Sequence, residues 1–534
     1  MKQSDKSILI SGIRLSVHRN EEDALKEARR RLRGVHLLSS DTQLSVFRRS
    51  VDARHRNDIA FVYTVLAQGS FPTHILEKGV GDISLLPEEM PAVCMGSEPL
   101  SARPLIVGAG PAGLFSALLL AEYGYRPILI ERGGSVEERK AAVAAFIKTR
   151  VLDTQCNIQF GAGGAGTFSD GKLVTRVKDP VSGYILRRFV EFGAPKEILK
   201  LAKPHIGTDI LSTVVENMLA RIIEAGGEVF YRTRLTDIRF FEGKPVSAVT
   251  SAGEIPFGAL ILAIGHSARD TYRMLLSRGF SIEPKAYSVG MRIEHLSEDI
   301  DRALYGSFAG NSVLGHAEYN LSHNTKVRGV YTFCMCPGGE VVAATSEEGG
   351  VVTNGMSRHA RDGKNANSAV LCSVFKEDYG ATPERAIAFQ EGIEHAAFLA
   401  GGGDFSAPMI TVGDFLEGKC QSEPSRVMPT YMNGGVRLSH PECYLPSFAV
   451  QGIRNALGAF GKQIEGFDAK DAVLTGAETR SSAPVRILRT SERTALGMSN
   501  IYPVGEGAGY AGGITSAAID GVRTALALIE KYKP

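Results

Sequence analysis

Tryptophan is absent, which decides nothing about function, but the scarcity of cysteine does. The seven cysteines are scattered, at positions 94, 156, 334, 336, 372, 420 and 443. An odd number without framework spacing excludes a disulfide-stapled secreted module and points to reduced thiols in a cytoplasmic setting. Cys334-Met335-Cys336 has no second Cys or His pair at ligand spacing, so no metal site is expected. Long apolar runs are missing as well. The opening segment, MKQSDKSILI, holds no stretch of signal-peptide length. The most apolar later segment, Leu114–Ala121, falls far short of the ~20 residues that a membrane span needs. Neither sign of charge dominates: 60 Lys and Arg stand against 58 Asp and Glu, a net +2. The chain as a whole is therefore not an electrostatic binder of nucleic acid. What remains is an ordinary globular composition, 44% hydrophobic and 22% charged, over 534 residues.

Glycine, by contrast, is abundant and placed. Residues 105–113 read LIVGAGPAG. A short apolar run, Leu105–Val107, leads into the glycines, a helical pattern follows to Tyr123, and a second apolar run ends at Glu131. That order is strand, glycine turn, helix, strand, acid. Gly108 permits the tight turn, Gly110 lets a pyrophosphate approach the backbone, and Gly113 lets helix and strand pack closely. The helix N-terminus offers free N–H groups and a positive dipole end to phosphates. Glu131 comes eighteen residues after Gly113, where a carboxylate accepts both ribose hydroxyls.

Two further segments match the same glycine spacing, Gly161–Gly166 and Gly507–Gly512. The first leads into TFSDGKL, which reads as loop and turn. The second has a strand before it and a helix after it, but only 22 residues follow, too few for a second strand and its acid. One dinucleotide site with several distant glycine loops indicates FAD, an extended molecule that needs contacts along its whole length. Gly505-Glu506 would meet the pyrophosphate and ribityl end. Gly512-Gly513-Ile514, at a helix start, would face the flavin edge where the reduced ring holds negative charge.

The rest of the chain divides by pattern. Ile8–Val17, Leu44–Val51 and Ile59–Gln68 read as strands and Glu21–Leu32 as a helix capped by Asn20, with a turn at Arg54–Asp58. Residues 1–98 therefore read as a small α+β domain, closed by a Pro- and Gly-rich linker from Gly81 to Arg103. Residues 1–60 hold 13 Lys and Arg against 8 Asp and Glu, so this part is basic. The FAD-binding domain occupies 99–274 and closes with 491–534, where Ile501–Val504 is a strand and Ile514–Lys531 a helix. Residues 275–490 break the doubly wound pattern. They mix strands (Ser288–Ile293, Val330–Cys334, Val341–Thr345) with helices such as Pro383–Ala400, and read as an inserted α+β cap. The expected fold class is α/β, a Rossmann-like FAD-binding domain with this cap inserted.

These features together resemble a widespread bacterial and plastid family of FAD-dependent dehydrogenases of unknown substrate. The resemblance rests on LIVGAGPAG (105–113), FGAGGAGTFSDGKL (160–173), LAIGHSARD (262–270), GMRIEH (290–295), VYTFCMCPGG (330–339), ETRSSAPVRILR (478–489) and YPVGEGAGYAGGITSAAIDG (502–521). More distantly the layout is similar to flavoproteins with a single FAD domain and an inserted cap, such as the fumarate reductases. Unlike those, this cap shows no Arg and His set that matches dicarboxylate binding. Motif and resemblance together place FAD on Gly108, Gly110, Pro111, Ala112, Gly113, Glu131 and Arg132, on Gly163, Gly164, Ala165, Gly166 and Lys172, on Gly265, and on Gly505, Glu506, Gly512, Gly513 and Ile514.

Candidates for the reacting face come from the cap. Cys334 and Cys336 could exchange electrons with the flavin, although two residues along a strand are about 7 Å apart, at the outer limit for a disulfide. Cys156 precedes the second glycine loop and is expected near the ring. Arg292 and Glu294 share a strand face, to bind a polar substrate or to pair with each other, and His295 follows them. Asn354, Ser357, Arg361, Asn365 and Asn367 form a polar cluster. His266 is expected near the adenine or ribose, and Asp170 in a turn. The sequence thus points to an FAD-dependent oxidoreductase with a small-molecule substrate, fed by that substrate, a protein donor or NAD(P)H. The alternatives are an RNA-binding N-terminal module, carried by Arg29, Arg30, Arg31, Arg33, Arg48, Arg49, Arg54 and Arg56, and a thiol-based redox sensor. No aromatic residues interleave those arginines, so a nucleic-acid partner is not expected, nor is a membrane.

Overall fold

The computed structural model describes residues 3–56, 58–72, 80–325 and 327–534. The first unit follows the expected β-α-β-β order: β1 (Gln3–Ser16), α1 (Glu21–Gly34), β2 (Gln43–Asp52) and β3 (Ala60–Pro72). The Asn20 side chain accepts from Asp23 N at 3.1 Å and starts α1, which buries Ala24, Ala28 and Leu32 at helical spacing. Of the turn between β2 and β3, Asn57 lies outside the described residues. The stretch read as a linker supplies a fourth strand, β4 (Ile83–Leu85), antiparallel to β1. Ile8 and Ile10 face the core from β1, and the buried Ile83 completes that face. Four of the eight arginines of the basic run are paired: Arg30 and Arg31 with Glu27, Arg54 with Asp52, and Arg56 with the distant Glu465.

The nucleotide unit begins with β5 (Leu105–Val107), α2 (Pro111–Glu122), β6 (Ile128–Ile130) and α3 (Val136–Thr149). It continues through α4 (Thr208–Glu224), β7 (Glu228–Phe230), β8 (Leu260–Leu262) and α5 (Arg269–Ser277). LIV and LIL are wholly buried, as parallel strands covered on both faces must be. An antiparallel meander over 235–256 separates β7 from β8.

A seven-stranded sheet follows, built on β9 (Tyr287–Leu296), β10 (Gly329–Cys336), β11 (Asn365–Val374), β12 (Ala407–Thr411) and β13 (Val473–Glu478), with α6 (Pro383–Ala400) against it. Its order is Ser322–Asn324, β10, β11, β9, β13, β12, Val436–Leu438, so β9 lies at the centre. The chain enters and leaves this region through one antiparallel pair, Ile282–Pro284 with Val485–Ile487. It then returns to the nucleotide sheet as β14 (Ile501–Pro503) and ends in α7 (Ile514–Lys531), whose bounds match the sequence reading. The completed parallel sheet runs β14, β8, β5, β6, β7. One apolar cluster continues from Ile8 and Phe61 in the first unit to Val289 and Val370 in the large sheet. Among the described residues no helix is long and apolar enough to cross a membrane.

Candidate cofactor site and its surroundings

The first glycine loop is shaped by contact. Gly108 has φ +103°, donates to Ile130 O at 2.8 Å, and would place a Cβ 2.3 Å from Ala263 O. A Cβ on Gly113 would lie 1.9 Å from Gly108 O. Any side chain at either position would push the loop off the sheet. Gly110 caps α2 without a side chain and Pro111 opens it, so the first-turn N–H groups of Ala112 and Gly113 have no intrahelical acceptor.

Glu131, buried at the end of β6, ties this loop to the next. Its Oε2 accepts from Ala109 N at 2.8 Å, and its Oε1 accepts from Gly133 N and Gly161 N, each at 2.9 Å. One lone pair on Oε2 stays free, enough for a hydroxyl donor. Arg132 makes a two-bond ion pair with Asp270 and stacks 4.0 Å over the Phe160 ring, walling that end. Cys156 accepts from Gly134 N at 3.3 Å. That puts it beside the Glu131 corner.

The second loop leans on the first, with Gly163 N donating to Ala109 O at 2.8 Å. A single 3-10 turn, Ala165–Phe168, follows where the sequence reads as loop. The whole 157–164 stretch is pinned by Arg139, which no sequence signal marked. This guanidinium is fully buried and donates to the carbonyls of Asn157, Ile158, Ala162 and Gly164 at 2.6–2.8 Å. Burial pulls its pKa down to about 10, against the attraction of Glu131. Lys172 turns away from the loop. Its ammonium bonds Met335 O on β10 and lies 3.9 Å from both Asp170 and Glu318. Burial opposes its charge, but Glu318 and Asp170 outweigh that and hold the pKa above its ordinary value. Lys172 thus ties the nucleotide unit to the large sheet.

The third part comes from the C-terminal segment. Gly505 (φ +75°) donates to Asp520 Oδ2 at 2.8 Å, and Asp520 is itself held by Arg489 and Arg493. The Glu506 carboxylate makes no hydrogen bond among the described residues, although its backbone carbonyl accepts from Gly509 N at 2.9 Å. Burial pushes its carboxyl up to about 7, with Lys285 opposing. Gly513 caps α7 without a side chain, and Cβ positions on Gly512, Gly513 and Gly265 would meet open space. Gly166 closes the ring of loops, its Cβ position 3.0 Å from Ile514. His266 beside Gly265 is driven down to about 3 by burial, then by Arg480 and Arg269, and so stays neutral.

On the large sheet the structure reassigns the polar candidates. Arg292 is fully buried and every donor is used: Nε and Nη2 on Glu478, Nη1 on Cys334 O and Asn367, Nη2 also on Asn354. No N–H is left for a substrate, and its ion pair is with Glu478, not Glu294. Glu294 instead accepts from Asn365 and Thr430. His295 faces the other side of β9, with Nε2 2.8 Å from Phe467 O and its ring against Phe467. Burial, offset in part by that carbonyl, lowers its pKa. Ser357 and Arg361 both bond Asp170. The polar cluster is therefore spread over three internal networks. Cys334 and Cys336 remain, both free, at a bulge in β10. A further network was invisible in the sequence: Arg269 and Arg480 share Glu394 and Glu347 across the two units.

Residues 102–154 match a family described as FAD binding domain, and residues 286–481 match FAD-dependent protein, C-terminal domain-like. Residues 7–68 match a domain of unknown function. An uncharacterised protein of Clostridium beijerinckii is 44% identical over 498 residues, 92% of this chain and 93% of its own length. The chain belongs to this family of FAD-dependent proteins. FAD is the flavoprotein's cofactor, and the loops fit it: glycines where side chains would collide, an acid with a free lone pair, and open space at Gly265, Gly512 and Gly513. Among solved structures it is similar to CtdE in complex with FAD (TM-score 0.31, 12% identity, 80% of this chain and 84% of that one). It is also similar to a geranylgeranyl bacteriochlorophyll reductase-like protein from Thermoplasma acidophilum (TM-score 0.34, 13% identity, 80% and 78%). A glycine oxidase from Bacillus cereus gives a TM-score of 0.31 at 11% identity over 80% and 95%.

Proposed function

We propose that this flavoprotein is an FAD-dependent oxidoreductase whose small-molecule substrate binds between the flavin and the seven-stranded sheet. The observation that carries this reading is the convergence of the glycine loops with Glu131 and the uncapped starts of α2 and α7, in a unit that Lys172 ties to β10 of the large sheet. FAD would supply two-electron transfer there. The chain's own residues bind and orient. Glu131 takes one ribose hydroxyl with its remaining lone pair, the first turn of α2 takes the pyrophosphate, and Gly505 and Glu506 flank the ribityl chain. The uncapped start of α7 sets a positive dipole end against the ring edge where charge accumulates. Neutral His266, Lys285 and Glu506 are placed to hold or move a proton at the substrate. Arg292 acts as a positioning residue, because all its donors are used, and His295 is held through Nε2 by Phe467 O on the opposite side of β9. We place the cap within 275–490, between its paired entry and exit strands.

The test is an absorption spectrum of the purified protein followed by anaerobic titration with NADH and NADPH. Bands near ~370 and ~450 nm that one nicotinamide bleaches would establish a reductase half-reaction. Flavin bands that neither bleaches would mean that electrons enter from the substrate or a protein donor. Absence of flavin from protein refolded or grown with excess FAD would overturn the reading.

A further inference from the structure

We propose that Cys334 and Cys336 form a dithiol–disulfide couple that reduces a disulfide substrate, with Cys334 the attacking thiolate and Cys336 the resolving thiol. The proposal names a substrate class for the oxidoreductase reading and rests on it. The backbone supplies the first observation. Phe333 pairs with Ala369 and Cys336 with Asn367, so two residues of β10 bulge against one of β11. Cys334 within that bulge has φ +46°, in the left-handed region. The chain therefore bends between the two cysteines and abandons the extended ~7 Å spacing that makes a disulfide across i and i+2 difficult. Cys336 Sγ already lies 3.3 Å from Cys334 O.

Charge supplies the second observation. Arg292 donates to Cys334 O at 3.1 Å from β9, and the Lys172 ammonium bonds the carbonyl of Met335, between the two cysteines. Hydrogen bonding from Cys336, then the charges of Arg292 and Lys172, hold the Cys334 thiol below its ordinary value against the opposing effects of burial and Asp170. The same hydrogen bond and burial push Cys336 well up. An asymmetric pair of this kind has one nucleophile and one thiol in reserve. The remaining facing acids, Glu478 and Glu318, are committed to Arg292 and to Arg361 and the lysines. Position supplies the third. Half-buried Cys334 is reachable, whereas Cys156 and Cys372 are buried. Lys172 adjoins Leu173, whose carbonyl accepts from Thr515 in the first turn of α7, so one short segment bonds both the main chain between the two cysteines and the helix start assigned to the flavin.

The exchange balances. Cys334 sulfur attacks one sulfur of R–S–S–R, that bond breaks, and RS⁻ leaves and takes a proton. Cys336 loses its proton and attacks Cys334 sulfur, releasing the second RS⁻. The two protein thiols lose two electrons and two protons, and R–S–S–R becomes two RSH. Reduced FAD, when bound, would supply the two electrons and two protons that reopen the Cys334–Cys336 bond.

The test treats the holoprotein with glutathione disulfide, alkylates free thiols and maps peptides by mass spectrometry. The peptide holding both cysteines should lose two hydrogens and escape alkylation. Cys336→Ser should trap glutathione on Cys334, and Cys334→Ser should trap none on Cys336. Alkylation of both sulfurs after oxidation, or equal trapping in the two variants, overturns the couple whether or not flavin is present. Anaerobic reductive titration of oxidised holoprotein then tests the link to FAD. Wild type should take two more reducing equivalents per flavin than Cys334→Ser, which holds neither disulfide, and equal uptake would overturn the electron route.

Discussion

At Glu131 three backbone N–H groups converge on one buried carboxylate, and that sets the cost of losing a single oxygen. Glu131→Gln keeps the shape but turns one acceptor into a donor facing backbone N–H groups. A ribose hydroxyl that loses its charged acceptor gives up about 1.5–3 kcal/mol, so FAD binding should weaken roughly 10- to 100-fold. Equilibrium dialysis of FAD against both proteins reads this directly, and equal affinity would remove Glu131 from the site. Glu506 makes an opposite kind of prediction. Its folded pKa, near 7, is raised by burial above the ordinary carboxyl value of 4.5. A raised folded pKa means that the native state holds the proton more tightly than the unfolded state. The contribution is present in full below about pH 4.5 and is lost as pH rises through 7. In flavin-free protein, wild type minus Glu506→Gln should therefore fall by about 3 kcal/mol between pH 5 and pH 8. Urea unfolding at the two pH values checks it, and a difference that does not move would mean that the carboxyl is ionised throughout.

Among the elements, the 157–164 loop depends on one side chain from a neighbouring helix. Arg139→Met would strip four short hydrogen bonds from buried carbonyls at once. A loss of about 3–5 kcal/mol is expected, with hydrogen exchange in 157–164 faster than elsewhere and flavin released on gel filtration. Unchanged exchange in that loop would show that the glycines hold it unaided. Nothing in the sequence marks Arg139, because its partners are main-chain carbonyls and carry no residue signature. The glycine loop at 108–113 was legible for the contrary reason: collision at Gly108 and Gly113 restricts the residue type itself. The helices 383–400 and 514–531 were legible to the residue from periodicity and flanking glycine or proline. Period-2 reasoning failed at two places. It treated Cys334–Cys336 as regular strand, where a bulge reaims both sulfurs. It also left Ile83–Leu85 in a linker, although the open edge of β1 recruits it. Arg292 and Glu294 on β9 were legible as residues sharing a strand face but not as members of separate closed networks, since Glu478 and Thr430 lie far along the chain.

Across the whole molecule the nucleotide unit and the large sheet are joined by charge as well as by the paired strands at 282–284 and 485–487. Arg269 at the start of α5 and Arg480 just past β13 both clamp Glu394 of α6, which also accepts from Thr479 at 2.6 Å. Burial alone would favour the neutral acid, but the two guanidiniums overcome it and hold Glu394 well below the usual carboxylate range. Because its folded pKa is depressed, the contribution is full above the unfolded value of about 4.3 and is lost as pH falls through the folded one. Glu394→Gln leaves two buried guanidiniums sharing the partly exposed Glu347 and should cost about 3–5 kcal/mol at neutral pH. That deficit should stay constant from pH 8 to pH 5 and shrink only in stronger acid. Replacing Arg269, Arg480 and Glu394 together by methionine removes the buried charges as well as their attraction, and should recover much of the loss. Recovery of stability without recovery of cooperative unfolding of the two units would show that the network aligns them. A Glu394→Gln protein with wild-type stability would show that the apolar contacts alone hold the nucleotide unit against the sheet.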